Sequence, residues 1–254
     1  MLPALASEAM VILALFARIG SMIMLMPMLG DDSVPRQVRL LLALGLTVAL
    51  SGMLKPAVEP LVAGGELQFA MLLLTETVIG LALGMLARMF FHAAVMAGSI
   101  VSLQLGLTTA LVFDPALGGQ TPLIGKLIGL GATLFCFALG LHGWWFEALV
   151  RSYSSFAPGA PLAAADWAGL AVDTIGQATA LAISLAAPFL LFGILFNLAL
   201  GIAGRLAPTI QIFFIAQPLM IAGGIALLAV AAPTMLVGFA DAYRGWLAGA
   251  WAGV

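Results

Sequence analysis

The chain has 254 residues, of which 63% are hydrophobic and 8% charged, with a mean hydropathy of +1.19 and a formal net charge of -2. A soluble domain carries about 25% charged residues, so this composition excludes a solvated globule and defines an integral membrane protein. Nine basic and eleven acidic residues are scattered singly, which excludes the clustered Lys and Arg of a nucleic-acid surface.

The first apolar run covers residues 4–28. It opens MLPALASEAMVILALFARIG, without a basic start, with Glu8 early and Arg18 inside, and reads as a membrane segment rather than a cleaved leader. Its end, MIMLMPM, is a methionine cluster suited to filling irregular core or lining a deformable constriction. The second run extends from Pro35 to Met53, with Ser33 or a neighbour as cap and Pro35 in the first turn. It ends at SGMLKPAVEP and holds little more than the ~17 residues of a minimal span. The third run, Leu67 to Val112, is more than twice the ~20 residues one span requires. Its ionisable groups are Glu76, Arg88 and His92. Either a tight turn near residues 89–98 divides it, or its helices are long and bent.

LVFDPALGGQTPLIG (residues 111–125) then breaks the pattern. Asp114 before Pro115, and Thr121 before Pro122, are good cap and first-turn pairs, and Gly118 and Gly119 end a short turn. A capped helix–helix connection accounts for each residue locally. The flanking LTTALVF nevertheless stays apolar, and irregular backbone at membrane depth is tolerated only inside protein or along a cavity.

The next run occupies residues 122–150. Its Cys136 is the only cysteine; it excludes an internal disulfide and reads as a small buried apolar side chain rather than a metal ligand. In LHGWWFEAL, Trp144 and Trp145 fit an interfacial aromatic belt. RSYSSFAPGAPLAAAD (residues 151–166) is the clearest linker. Trp167 to Leu206 is again near twice a span, and Pro188 is expected to break or kink it. Segments at 208–231 and 233–251 complete the chain. None of the runs alternates apolar and polar residues as barrel strands do. The fold class is therefore an all-α integral membrane protein with long, partly broken helices in hairpins. Lys and Arg are spread too evenly over the loops to set an orientation.

Glu76, Gly80, Gly84 and Arg88 recur every fourth residue and share one helix stripe. The two glycines make a small-xxx-small patch that lets another helix approach closely, and the charges at its ends require partners on neighbouring helices. The stripe suits either a packing seam with charges paired across an interface or a proton or ion site. Asn197, Gly201 and Arg205 repeat the spacing, and GKLIG (residues 125–129) supplies a third small pair. Three seams favour dense helix–helix assembly. There is no Gly-x-Ser-x-Gly elbow, His-Glu-x-x-His or phosphate-binding loop, so the chain is expected not to be an enzyme. Intramembrane charges and Pro188 also admit a self-contained small-solute transporter, although no internal repeat supports one.

The order and wording of the segments resemble the FliR family, the flagellar biosynthesis proteins of type III secretion export gates. The resemblance covers nearly the whole chain. It is carried by RIGSMIMLMPMLGDDSVPRQVRLLLAL, by ETVIGLALGMLARMFFHAAVMAGSIVSLQLGLTTALVFDPALGGQTPLIG, by LHGWWFEALVRSYSSFAPG and by NLALGIAGRLAPTIQIFFIAQPLMIAGG. The second of these is the most specific. The chain departs from the family pattern at Thr209, Gln217 and Met220.

The resemblance implies a helical multi-subunit gate in the bacterial inner membrane, projecting toward the periplasm. It implies P and Q subunits as partners, other export-apparatus membrane proteins and lipid around them, unfolded flagellar proteins as cargo, and no cofactor. It further implies a P-like part at residues 1–160 and a Q-like hairpin at 161–254, joined near Ala157 to Asp166. On this reading Gly106, Leu111, Phe113, Asp114, Pro115, Leu117, Gly118 and Gly119 belong to a loop that plugs the closed pore. Arg18, Glu76, Gly80, Gly84, Arg88, Asn197, Gly201 and Arg205 serve helix packing or subunit interfaces. A virulence injectisome homologue is a variant of the same expectation.

Overall fold

A computed structural model describes residues 2–27, 29–30, 34–107, 122–160, 164–206 and 212–249. Among them run seven helices and no strand: α1 (Leu2–Leu25), α2 (Arg36–Val62), α3 (Glu66–Gln104), α4 (Leu123–Ala138), α5 (His142–Ser155), α6 (Ala164–Leu206) and α7 (Ile212–Gly249). Five are long and apolar enough to cross a membrane, and α4 with α5 make a sixth if they count as one broken span. The protein is an all-α, multi-pass membrane protein.

Several helices run on past the ends that the sequence suggested. α2 continues past Met53 to Val62 with Pro56 and Pro60 inside it. α3 is unbroken over 39 residues, about 58 Å at 1.5 Å per residue, so no turn falls at 89–98. α6 runs through Pro188, and α7 is one helix containing Pro218 and Pro233 where two segments were expected. In water an interior proline costs a helix ~3 kcal/mol. Where no water reaches the backbone, ending the helix would strand several N–H and C=O groups at several kcal/mol each. The helix therefore persists through the proline. The expected run at 122–150 does break, at residues 139–141, where Gly140 adopts φ +72°. The linker at 151–166 is correspondingly shorter, because α5 extends to Ser155 and α6 begins at Ala164. Pro122 is the N-cap of α4 rather than its first residue.

The chain forms two compact units, residues 1–91, 140–175 and 244–254 in the first, and 92–139 and 176–243 in the second. Three boundaries fall inside α3, α6 and α7, and the fourth falls between α4 and α5. In the first unit, Leu15, Ile19, Met22 and Ile23 of α1 are fully buried, as are Ile79 and Leu83 of α3 and Trp145 of α5. Phe90 stacks on Trp246 at 4.9 Å and Phe156 on Trp167 at 4.8 Å. Arg151 donates to the carbonyls of Leu247 and Ala248, capping the end of α7. Trp145 is thus core, not interfacial belt, while the Trp144 ring carries the Arg244 guanidinium at 4.2 Å. The second unit is centred on Ala97 and Val101 of α3, Leu105 just past its end, Ala132 and Cys136 of α4, Ala186 and Phe189 of α6, and Phe239 of α7. Around both units large apolar side chains face outward, among them Leu41, Val48, Leu134, Ile194 and Leu198.

Candidate functional site

Among the described residues, the first unit contains a buried ionic node. Arg18 and Glu76 are both 0% exposed. Arg18 Nε donates to Glu76 Oε2 at 2.8 Å and Nη2 to Oε1 at 2.7 Å, a bidentate pair between α1 and α3. Arg18 Nη1 donates to the carbonyls of Ser152 and Phe156, each at 3.0 Å, at the C-terminal end of α5. The Tyr153 ring lies 4.2 Å from the guanidinium carbon. A planar, permanently charged fork can serve two carboxylate oxygens and two carbonyls together; a point-charge ammonium cannot. The node is net neutral, which lowers the cost of burying either charge.

The glycine stripe brings the two helices close enough for this contact. A Cβ on Gly80 would strike the Arg18 carbonyl and Ser21 Oγ; one on Gly84 would lie 2.7 Å from the Met22 carbonyl oxygen. Arg88 is half-buried on the same helix but three turns from Glu76, about 18 Å along the axis, and is not part of the pair. Spacing alone found Glu76, Gly80 and Gly84. It left unnamed the partner of Glu76, which stands 58 residues earlier in the chain, and the α5 carbonyls. Arg18 and Glu76 are, however, opposite charges inside apolar runs, and that is a pairing signal.

The other predicted residues lie in the second unit. Asn197 donates from Nδ2 to the Gly193 carbonyl at 2.8 Å. Among the described residues, Gly201 has open space where a Cβ would stand, and Arg205 is exposed. The GKLIG glycines meet α3: a Cβ on Gly98 would lie 2.7 Å from the Gly125 Cα, and one on Gly129 2.8 Å from Val95 Cγ2.

Of the predicted plug, Gly106 is described; Leu111, Phe113, Asp114, Pro115, Leu117, Gly118 and Gly119 lie outside the described residues. α3 ends at Gln104 in a Schellman cap. Gly106 takes φ +70°, its N–H donates to the Leu103 carbonyl, and the Leu107 N–H donates to the Ser102 carbonyl, both at 3.1 Å. The cap is keyed into its neighbours. Gln104 Oε1 occupies the place a Gly193 side chain would need, the Leu105 methyls occupy that of Gly224, and Gln217 Nε2 abuts Gly106.

Long continuous helices, a neutral ion-pair node and glycine-mediated close packing define a multi-pass helical membrane protein whose polar groups hold helices together. Residues 9–245 match the family described as Bacterial export proteins, family 1, and the chain belongs to it. It is 34% identical over 242 residues to the flagellar biosynthetic protein FliR of Caulobacter vibrioides, covering 95% of this chain and 96% of that protein. It is 32% identical to Escherichia coli K12 FliR over 85% of this chain and 82% of that one. To the Yop proteins translocation protein T of Yersinia pestis it is 28% identical, over 70% of each chain.

Proposed function

We propose that this protein is a non-enzymatic core subunit of a flagellar type III protein export gate in the bacterial inner membrane. The observation that carries this is end-to-end similarity to a flagellar FliR, over 95% of one chain and 96% of the other. Its partners are the P and Q subunits and the membrane proteins of the export apparatus around them, and its cargo is unfolded flagellar protein. Residues 1–160 act as the P-like part and 161–254 as a Q-like hairpin, built on α6 and α7. The assembly projects toward the periplasm. Helices longer than a bilayer and bare faces such as Gly201 and Arg205 suit burial against sister subunits. Arg18, Glu76, Gly80 and Gly84 act as an internal clamp, and residues 106–121 plug the closed pore. An unbroken α6 removes the split-helix argument for a solute transporter. A virulence injectisome subunit is the second reading, favoured by the similarity to protein T.

The test is complementation of a flagellated host lacking its own FliR, with the chain co-expressed with P and Q subunits. Restored motility and one co-purified complex support the flagellar reading; rescue only of an injectisome host favours the second. A monodisperse chain that alone transports solutes into proteoliposomes would overturn both. Deleting residues 112–119 is expected to make the membrane leak ions while export partly persists. A tight membrane with a dissociated complex would reduce the loop to a connection.

A further inference from the structure

We propose that Gln104, Leu105 and Gly106 form a fixed anchor that sets where the chain leaves α3 toward residues 108–121; its role in closing the pore rests on the plug reading above. Three consecutive residues each engage a different position of α6 or α7. Gln104 fills the slot over Gly193, Leu105 fills the slot over Gly224, and Gln217 closes on Gly106. All of these residues belong to the second unit. Any side chain at 193 or 224 would collide with the occupant already there. Gly106 sits in the left-handed region, with φ +70°, where L side chains are strained. The paired Schellman hydrogen bonds fix the backbone direction as far as Leu107. Leu105 is 0% exposed. Such an arrangement is over-determined: sterics, backbone conformation and hydrogen bonding specify one exit direction. The anchor therefore stays seated during export. Gln104, Leu105, Gly193 and Gly224 are positioning residues; they act on the pore through the segment they hold.

The experiment uses the full chain assembled with its partner subunits in native membranes, with Cys136→Ala removing the only cysteine. The pair Leu105→Cys and Gly224→Cys places two thiols where a Gly224 Cβ would lie 2.9 Å from Leu105 Cγ, within reach of a disulfide. Mild oxidation is expected to protect both thiols from a maleimide–polyethylene glycol reagent while the membrane stays tight and export continues at the reduced-state rate. Failure to cross-link, or export that stops on oxidation and resumes with reductant, would overturn the anchor. Gly224→Val is expected to raise ion leak to the level of the 112–119 deletion without loss of the complex. Adding Leu105→Ala, which vacates the slot, is expected to restore tightness. A leaky deletion beside a tight Gly224→Val would refute the anchor alone, whereas a tight deletion would refute the plug. If Gly224→Val fails to assemble, the cross-link decides.

Discussion

Removing the Glu76 carboxylate would leave the Arg18 guanidinium charged at a site with no solvent access. The N···O contacts of 2.7 and 2.8 Å fix the geometry of the pair. With charge centres about 4 Å apart, the attraction is ~4 kcal/mol at an effective dielectric constant of ~20. Breaking a buried pair from one side costs ~3–5 kcal/mol, and the two figures agree. Glu76→Leu is therefore expected to lower the thermal midpoint of the detergent-solubilised chain by on the order of 10 °C. The double variant Arg18→Met, Glu76→Leu removes both charges. It leaves the Phe156 carbonyl without the Arg18 donor, but the Ser152 carbonyl still accepts from the Phe156 N–H at 2.9 Å. Its cost is that of one unsatisfied acceptor, ~1–3 kcal/mol, so the double variant should melt above the Glu76→Leu single. Tryptophan fluorescence melts of all four members of the cycle measure the coupling. Additive losses, or a Glu76→Leu midpoint equal to that of the parent, would refute the clamp.

Gly80→Val should force α1 from α3, because its side chain meets a backbone carbonyl that cannot swing away; the overpacking loss is ~1–3 kcal/mol in the same melts. Trp145→Ala, vacating a 1% exposed site, should cost ~3–5 kcal/mol if the ring is core and almost nothing if it faces the lipid interface. Gly201→Ala fills open space and should stabilise the isolated chain by up to ~1 kcal/mol through helix propensity. The same variant should lower recovery of the complex with P and Q subunits on co-purification, if a partner helix uses that gap.

Composition made the fold class legible, and four-residue spacing made the Glu76–Gly80–Gly84 stripe legible. Helix ends were read poorly because proline rules learned in water overstate the break when lipid removes the alternative hydrogen-bond partners. Pro188 and Pro233, in stretches without charges, sit inside helices for that reason. Trp145 was misplaced because an indole carries the same sequence signal at an interface as in a core. The Arg18 partners were out of reach of any local pattern: they come from α3 and α5, and topology alone brings them together. The left-handed cap at Gly106, where α3 ends, has a geometry that spacing did not suggest.

The clamp also has a timetable. Glu76 follows Arg18 by 58 residues, and the Phe156 carbonyl follows it by 138. At about 5–20 residues synthesised per second, α1 exists with its arginine uncompensated for roughly 3–12 s before α3 emerges, and the last acceptor arrives about 7–28 s after Arg18. An arginine at mid-membrane is disfavoured by about 2.5–3.5 kcal/mol on the insertion scale. Until α3 arrives, the nascent α1 carries that cost with no carboxylate to offset it, and the pairing with Glu76 removes it only when both helices are present.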